Sequence, residues 1–125
     1  MSSALACVHA MIANINAHAV DAIVEGLTRD SVLVDPRGSA VAGREALRAA
    51  WRVYFEIFPD YRLEIEHSGP WCDAVICTGT ASAHFRGRAE RAWSIPVAIR
   101  ADVHERRIAR WQVFADMHLP LVSMG

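Results

Sequence analysis

The sequence predicts an α+β fold in which a strongly curved antiparallel sheet covers a helix and leaves a cavity between them. Three observations support this prediction. Apolar residues recur at helical spacing up to Phe58, and Pro59 prevents a further helical turn. From Tyr61 the apolar residues alternate with charged ones, as in a half-buried strand. Several alternating segments joined by short turns then follow, and helices before consecutive strands are typical of the α+β class.

Three helices are expected in the first half of the chain. The first covers residues 4–17 and the second residues 19–28, with a short break between them. The third begins at Gly43 and ends at Phe58. Its apolar stripe consists of Leu47, Trp51, Tyr54, Phe55 and Phe58. A stripe of this kind packs against the inner side of a sheet.

Five strands are expected. The first covers residues 31–35 and ends in a turn at Pro36-Arg-Gly. The other four are expected at 61–67, 74–86, 91–103 and 106–116. Short turns between them favour antiparallel pairing, and the concave side of the sheet should then cover the third helix. A cavity at the open end would hold a mostly apolar ligand.

Length and composition limit the class of protein. We expect one domain over residues 1–125, because 125 residues can bury one core. Hydrophobic residues make up 53% of the chain, and no apolar run approaches the ~20 residues that span a bilayer. With no signal peptide evident, we expect a cytoplasmic protein that does not bind membranes.

The charge pattern and the spacing of possible metal ligands argue against a nucleic-acid-binding protein and against a metal-binding protein. The net charge is −1, and all 13 basic residues are arginine, as is common in GC-rich bacterial genomes. The densest basic stretch, at 86–91, lacks an aromatic stacking pattern, so no nucleic-acid site is expected. The three cysteines have neither a CxxC nor a zinc spacing, and the six histidines are scattered. No metal site is therefore expected.

Aromatic side chains are the candidate lining of the cavity. The set consists of Trp51, Tyr54, Phe58, Trp93 and Phe114. Such residues fill cores more often than they bind ligands, so both roles remain open. The hydroxyl of Tyr54 could orient the carbonyl of a small hydrophobic ligand.

Four segments carry a family resemblance: Gly43-Arg-Glu-Ala-Leu-Arg, Phe58-Pro-Asp-Tyr-Arg, Gly79-Thr-Ala-Ser-Ala-His-Phe-Arg-Gly and Arg107-Ile-Ala-Arg-Trp-Gln-Val-Phe-Ala-Asp. In order and spacing they resemble the SnoaL-like proteins, polyketide-cyclase relatives within the nuclear transport factor 2-like and ketosteroid isomerase-like superfamily. The resemblance implies a cone-shaped sheet, a pocket that needs no cofactor, and a homodimer through the outer sheet face. It does not imply one reaction, because isomerases, cyclases, hydratases and binding proteins share this fold.

Asp116 is the first catalytic candidate. It matches the general acid/base of the cyclase relatives, and strand alternation places it on the same side as Phe114. A carboxylate at an apolar pocket wall could exchange protons near neutral pH. His118 follows two residues later and could pair with it. The alternative is a carboxylate that closes the strand end and a histidine that faces solvent. With Asp116 turned to the cavity, Trp111 would face outward and contribute to a dimer interface.

Asp35 is the second catalytic candidate. It aligns with the proton-transferring aspartate of the ketosteroid isomerases, which also need two donors for the developing oxyanion. Their donor tyrosine falls on Met11 here, and their protonated aspartate near Val97 or Ala98. Steroid isomerisation is therefore not expected. Alternatively, Asp35 before Pro-x-Gly could serve only the turn.

Two functions from different classes remain open. One is a cofactor-free acid/base enzyme that acts on a small hydrophobic carbonyl compound by isomerisation, cyclisation or hydration. The other is a binding module that holds the same ligand without chemistry. A third reading is a subunit with a vestigial pocket, and an epoxide hydrolase is set aside because the first strand lacks a Tyr-x-Asn motif.

Overall fold

The described part of the chain forms four α-helices and six strands, one helix and one strand more than the sequence predicts. The computed structural model describes residues 3–125. The helices are α1 Ser3–Asn16, α2 Val20–Glu25, α3 Arg44–Ile57 and α4 His118–Met124. The strands are β1 Leu27–Val34, β2 Ala40–Ala42, β3 Arg62–Trp71, β4 Ala74–His84, β5 Ala92–His104 and β6 Arg107–Phe114. Two short 3₁₀ turns, Phe85–Gly87 and Ala89–Arg91, join β4 to β5.

All six strands form one curved, open sheet in the order β2-β1-β6-β5-β4-β3. Every neighbouring pair is antiparallel except β1 and β6, which run parallel. The three helices before β3 and the sheet that follows confirm the predicted α+β class. The predicted antiparallel arrangement therefore holds for four of the five strand pairs.

Helix α3 lies against the sheet through its apolar stripe. Leu47, Trp51 and Phe55 are buried, and they recur every four residues on one side of the helix. The helix ends at Ile57, and Phe58 packs into the core just before Pro59. This helix forms one wall of the space under the sheet.

Helix α1 covers the outer edge of the sheet at β3. The side-chain amide of Asn16 donates to the carbonyl of Leu63 at 2.9 Å, and its oxygen accepts the N–H of Leu63 at 2.8 Å. A side-chain amide thus takes the place of a neighbouring strand at this point. These two bonds position the helix layer on the edge strand, which would otherwise expose unpaired backbone groups.

The second helix is shorter than predicted, because the chain turns into the sheet at Gly26. Helix α2 ends at Glu25 rather than at residue 28, and β1 already begins at Leu27. The N–H of Ile108 donates to the carbonyl of Gly26 at 2.8 Å, so pairing with β6 draws this segment into the sheet. Long-range pairing therefore overrides the local helical pattern.

Two elements have no counterpart among the predicted ones. Strand β2 is only three residues long and pairs with β1. Helix α4 follows the last strand, which ends at Phe114 rather than at residue 116. Strand β3 continues to Trp71, beyond the predicted end at residue 67.

Candidate functional site

A cavity of about 370 Å³ lies between α3 and the concave side of the sheet. Strands β1, β4, β5 and β6 contribute to one side, α3 contributes to another, and α4 also contributes to the lining. The lining residues are Leu33, Asp35, Pro36, Arg37, Ala50, Trp51, Tyr54, Tyr61, Ala81, Trp93, Ile95, Val97, Trp111, Val113, Ala115, Met117 and Leu121. The volume is near the lower end of the range of about 300–1,000 Å³ that is usual for small-molecule pockets.

Aromatic rings dominate the wall of this cavity. Trp51 and Tyr54 come from α3, Tyr61 from the start of the sheet, and Trp93 and Trp111 from β5 and β6. The rings of Tyr61 and Trp93 lie 6.3 Å apart, and those of Trp51 and Tyr54 6.1 Å apart. Flat, rigid walls of this kind suit a flat, mostly apolar ligand.

The two tyrosines place a pair of hydroxyl groups in this apolar wall. Desolvation by burial raises the pKa of the Tyr54 hydroxyl well above its usual value, and the neighbouring Tyr61 raises it further. Burial likewise raises the pKa of Tyr61. Both hydroxyls therefore stay protonated at neutral pH and can donate hydrogen bonds.

The indole nitrogens of Trp51 and Trp93 are further unused donors. Both rings line the cavity, and both nitrogens are buried without a hydrogen-bond partner among residues 3–125. An unpaired buried N–H costs about 1–3 kcal/mol. An acceptor on a bound molecule could recover part of that free energy.

Asp35 carries the only carboxylate among the described residues that line the cavity. It lies at the turn between β1 and β2 and is half-buried. Its Oδ1 accepts the backbone N–H groups of Arg37 at 2.9 Å and Ser39 at 3.0 Å. No hydrogen bond of Oδ2 is found within the described part of the chain. One oxygen thus anchors the carboxylate in the turn, and the other is free to meet a ligand.

Asp116 lies outside the cavity. It is exposed, and its Oδ1 accepts the backbone N–H of His118 at 2.9 Å, at the start of α4. His118 is exposed as well, so the imidazole and the carboxylate do not form the expected acid/base contact through their side chains. The observed role of Asp116 is to accept a backbone hydrogen bond at a helix start.

The predicted orientation of strand β6 is wrong. Trp111 is 2% exposed and lines the cavity, whereas Phe114 is 49% exposed on the outer side. The inner face is the one that carries Trp111 and Val113, and the alternation is interrupted at Ala109, where the pairing with β5 shifts register. Turning the large indole inward buries more apolar surface than turning Phe114 and Asp116 inward would.

Three of the five predicted ligand-binding aromatics line the cavity, namely Trp51, Tyr54 and Trp93. Phe58 does not. It is 3% exposed and packs in the core, with its ring 5.3 Å from that of Trp93. Tyr61 also lines the cavity, but the sequence analysis did not name it as a ligand-binding residue. Its alternation with Leu63 already indicated that it lies on the inner face.

The described residues contain no group of three or more histidine, cysteine, aspartate or glutamate side chains that could hold a metal ion. Among the described residues that line the cavity, Asp35 and Arg37 are the only charged ones. No helix within residues 3–125 is long and apolar enough to cross a bilayer. The arrangement can thus offer one carboxylate as a base and a set of neutral donors that face an apolar compound.

Several solved structures share this fold. A protein of ketosteroid isomerase-like fold from Catenulispora acidiphila, solved with trimethylamine, is 18% identical, with a TM-score of 0.83 over 94% of this chain and 90% of that one. A candidate polyketide cyclase from Xanthomonas campestris pv. campestris is 16% identical, with a TM-score of 0.86 over 98% and 97%. An epoxide hydrolase-like protein of M. tuberculosis is 17% identical, with a TM-score of 0.82 over 97% and 88%.

At these identities the similarity shows a shared fold and no shared reaction. No curated protein matches the sequence. The model of the SnoaL-like domain family matches residues 8–111, which include all of the sheet except the end of β6 and most of the cavity wall. The chain therefore belongs to the SnoaL-like domain family.

Proposed function

We propose that this protein is a cofactor-independent acid/base enzyme that acts on a small, flat, hydrophobic carbonyl compound. Asp35 would remove a proton from the carbon next to the carbonyl, and Tyr54 with Tyr61 would hydrogen-bond to the oxygen on which negative charge develops. The observation that carries the proposal is that Asp35 is the only carboxylate lining an otherwise apolar, aromatic cavity among the described residues.

The local hydrogen bonds support Asp35 as the base. The two backbone N–H groups on Oδ1 hold the carboxylate in one orientation, and Oδ2 remains available to a substrate proton. A positioned general base typically contributes about 10²–10⁴-fold to a rate.

The tyrosine pair supplies the donors that the sequence alignment with ketosteroid isomerases did not reveal. Both hydroxyls remain protonated because burial raises their pKa. A donor aimed at a developing oxyanion lowers the barrier more than it stabilises the ground-state carbonyl. Tyr54 keeps its predicted role as a residue that orients the carbonyl, and Tyr61 is added to it.

The proposal is tested with 2-tetralone, a flat bicyclic ketone with acidic protons next to its carbonyl. Binding is followed by tryptophan fluorescence, since Trp51, Trp93 and Trp111 line the cavity. Proton removal is followed by NMR as deuterium uptake from D₂O. Asp35→Asn should lower the exchange rate at least about 100-fold and leave binding intact, because an asparagine oxygen can still accept both turn N–H groups.

Asp116→Asn is the matched control, since it also keeps its backbone hydrogen bond. We expect unchanged exchange in this variant. A loss in Asp116→Asn and not in Asp35→Asn would assign the base to Asp116 and refute the proposal. Failure of the wild-type protein to bind 2-tetralone at about 10 mM would refute the substrate class.

The second candidate function is ligand binding without chemistry. The observation that favours it is the turn itself, in which Asp35 Oδ1 already bonds two backbone N–H groups. Binding of 2-tetralone without any protein-dependent deuterium uptake would select this function over the enzyme.

We further propose that the protein forms a homodimer through the outer face of the sheet. Trp71 is 58% exposed and Phe114 49% exposed, and they border one groove together with Ile76 and Pro70. The predicted stripe of Trp111 and Val113 faces the cavity instead. Large exposed apolar side chains gathered on one face are typical of a protein interface.

A further inference from the structure

A second concave surface lies away from the aromatic cavity and is lined by cationic side chains. It has a volume of about 320 Å³ and is lined by Thr28, Arg29, Arg44, His104, Glu105 and Arg107. These residues come from three places in the chain: β1, the start of α3 and the turn between β5 and β6. We call this surface the arginine pocket. From it we propose a binding site for a dianionic phosphate group.

An irregularity in the sheet creates the concavity. Leu27 pairs with Ile108 and Val32 pairs with Arg110, so the four residues 28–31 of β1 lie opposite the single residue 109 of β6. The extra length pushes this part of β1 out of the ladder. Arg29 is carried on the bulged segment and is exposed.

Two of the arginines are held in place by backbone carbonyl groups. Arg44 donates to the carbonyl of Leu27 through Nε at 3.1 Å and Nη2 at 2.6 Å. Arg107 donates through Nε to the carbonyl of Glu25 at 3.2 Å. A guanidinium has five N–H donors, so each keeps donors for a ligand. The carbonyls orient these side chains without neutralising their charge.

Carboxylates do not neutralise the arginines of this pocket. Within residues 3–125, no ion pair with an acidic side chain involves Arg29, Arg44 or Arg107. Among the described lining residues, only Glu105 is acidic, and its Oε1 lies 3.8 Å from Nε2 of His104. The chain as a whole has a net charge of −1, so this local excess of positive charge is not a general property of the surface.

The charge and geometry favour phosphate over a monovalent anion. The formal net charge of the pocket is about +2, from three arginines and one glutamate, when His104 is counted as neutral. This charge matches that of a phosphate dianion. The planar guanidinium fork fits two phosphate oxygens at once. Because the pocket is open to solvent, it can accept either free phosphate or the phosphate group of an organic ester.

The test is calorimetric titration of the whole protein with inorganic phosphate, at an ionic strength held constant with chloride. We expect one phosphate per chain with a Kd below about 1 mM. Arg29→Gln and Arg107→Gln should each raise the Kd at least about tenfold, because each removes charged hydrogen bonds. Arg52→Gln removes an exposed arginine from α3, outside the pocket, and should leave the Kd within about twofold.

Circular dichroism melting checks that each variant is folded. If Arg107→Gln does not fold, the phosphate affinity of Arg29→Gln alone tests the proposal, because within the described residues the Arg29 side chain makes no hydrogen bond on which the fold depends. A parallel titration with glycerol 3-phosphate distinguishes the two sources. Tighter binding of the ester assigns an organic phosphate, and equal binding assigns inorganic phosphate. No saturable binding up to about 10 mM, or an equal loss in Arg52→Gln, would overturn the proposal.

Discussion

The rings of Tyr54 and Tyr61 meet edge to face, with their centroids 4.9 Å apart and their planes at 83°. One ring comes from α3 and the other from the residue before β3, so this contact joins the helix to the sheet at the cavity wall. Burial raises the pKa of both hydroxyls, so both remain protonated at neutral pH. Both protons are then available to a ligand oxygen.

The first prediction concerns the ionisation of this pair. The chain has only two tyrosines, so the phenolate absorbance near 295 nm reports on these two alone. At pH 10.0 an ordinary tyrosine is half ionised, but the folded protein should show almost no phenolate, because burial raises both pKa values. An alkaline titration monitored in parallel by circular dichroism measures this directly.

Linkage determines the sign of the accompanying stability change. With both folded-state pKa values raised, the folded protein holds its phenolic protons more tightly than the unfolded chain does. The contribution of these two tyrosines to the free energy of unfolding is thus constant well below pH 10.0 and is lost as the pH rises above it. The phenolate signal should appear together with unfolding. Full ionisation of both tyrosines near pH 10 in the folded protein would contradict the buried hydroxyl pair.

The second prediction concerns the attachment of α1 to the edge of the sheet. Asn16→Ala removes both hydrogen bonds to Leu63 and leaves a part-buried N–H and carbonyl without partners. We expect a loss of about 1–3 kcal/mol in the free energy of unfolding, measured in urea. Asn14→Ala, in the same helix but without a side-chain hydrogen bond in the described structure, is the control. Because alanine favours helix more than asparagine does, Asn14→Ala should not lower the free energy of unfolding, and equal changes in the two variants would show that the edge contact contributes nothing measurable.

The third prediction concerns the close approach of β3 and β4. A Cβ on Gly79 would lie 2.0 Å from the carbonyl oxygen of Glu64, where the pairing register shifts. Backbone atoms cannot give way as a side chain can, so Gly79→Ala should lower the free energy of unfolding by more than about 2 kcal/mol. Gly69→Ala on the same strand pair meets open space and should change it by less than about 1 kcal/mol. A mild effect at Gly79 would contradict this tight strand packing.

The fourth prediction tests the homodimer. Light scattering after gel filtration should give twice the 13.8 kDa mass of one chain. Replacing both Trp71 and Phe114 with serine should shift the mass to that of a monomer, because their exposed apolar area would no longer be buried between two copies. Val53→Ser removes an exposed apolar residue from α3 and should leave the dimer intact. A wild-type monomer at all concentrations would refute the proposed assembly.

The elements with strong local signals could be predicted from the sequence. Pro59 ends α3 by removing a donor, and the alternation from Tyr61 through Leu63 correctly placed both inside. The inner face of β6 could not be predicted in the same way. Alternation divides a strand into two faces but does not say which one is buried. In β6 each of the two faces carries both polar and apolar residues, so the sequence does not distinguish them.

Distant contacts decide the remaining parts of the site. The local sequence pattern places Leu27 at the end of a helix. In the structure its neighbour Gly26 pairs with Ile108, 82 residues further along the chain, and Leu27 lies in a strand. The role of Asp116 depends on the helix that begins at His118, which the sequence did not reveal. A short segment such as α4 has a weak local preference for helix and is positioned by packing, as with the buried Pro120.

The fifth prediction separates the cavity from the core that surrounds it. Ala81 and Ala83 lie on the same face of β4 and are 2% and 3% exposed, but only Ala81 lines the cavity. Ala81→Leu adds apolar atoms to empty space and should keep or raise the melting temperature, while 2-tetralone binding weakens at least about tenfold. Ala83→Leu adds the same atoms to a packed region and should lower the free energy of unfolding by about 1–3 kcal/mol. Equal destabilisation by the two substitutions, with ligand binding retained in Ala81→Leu, would mean that the space beside Ala81 is not the ligand site.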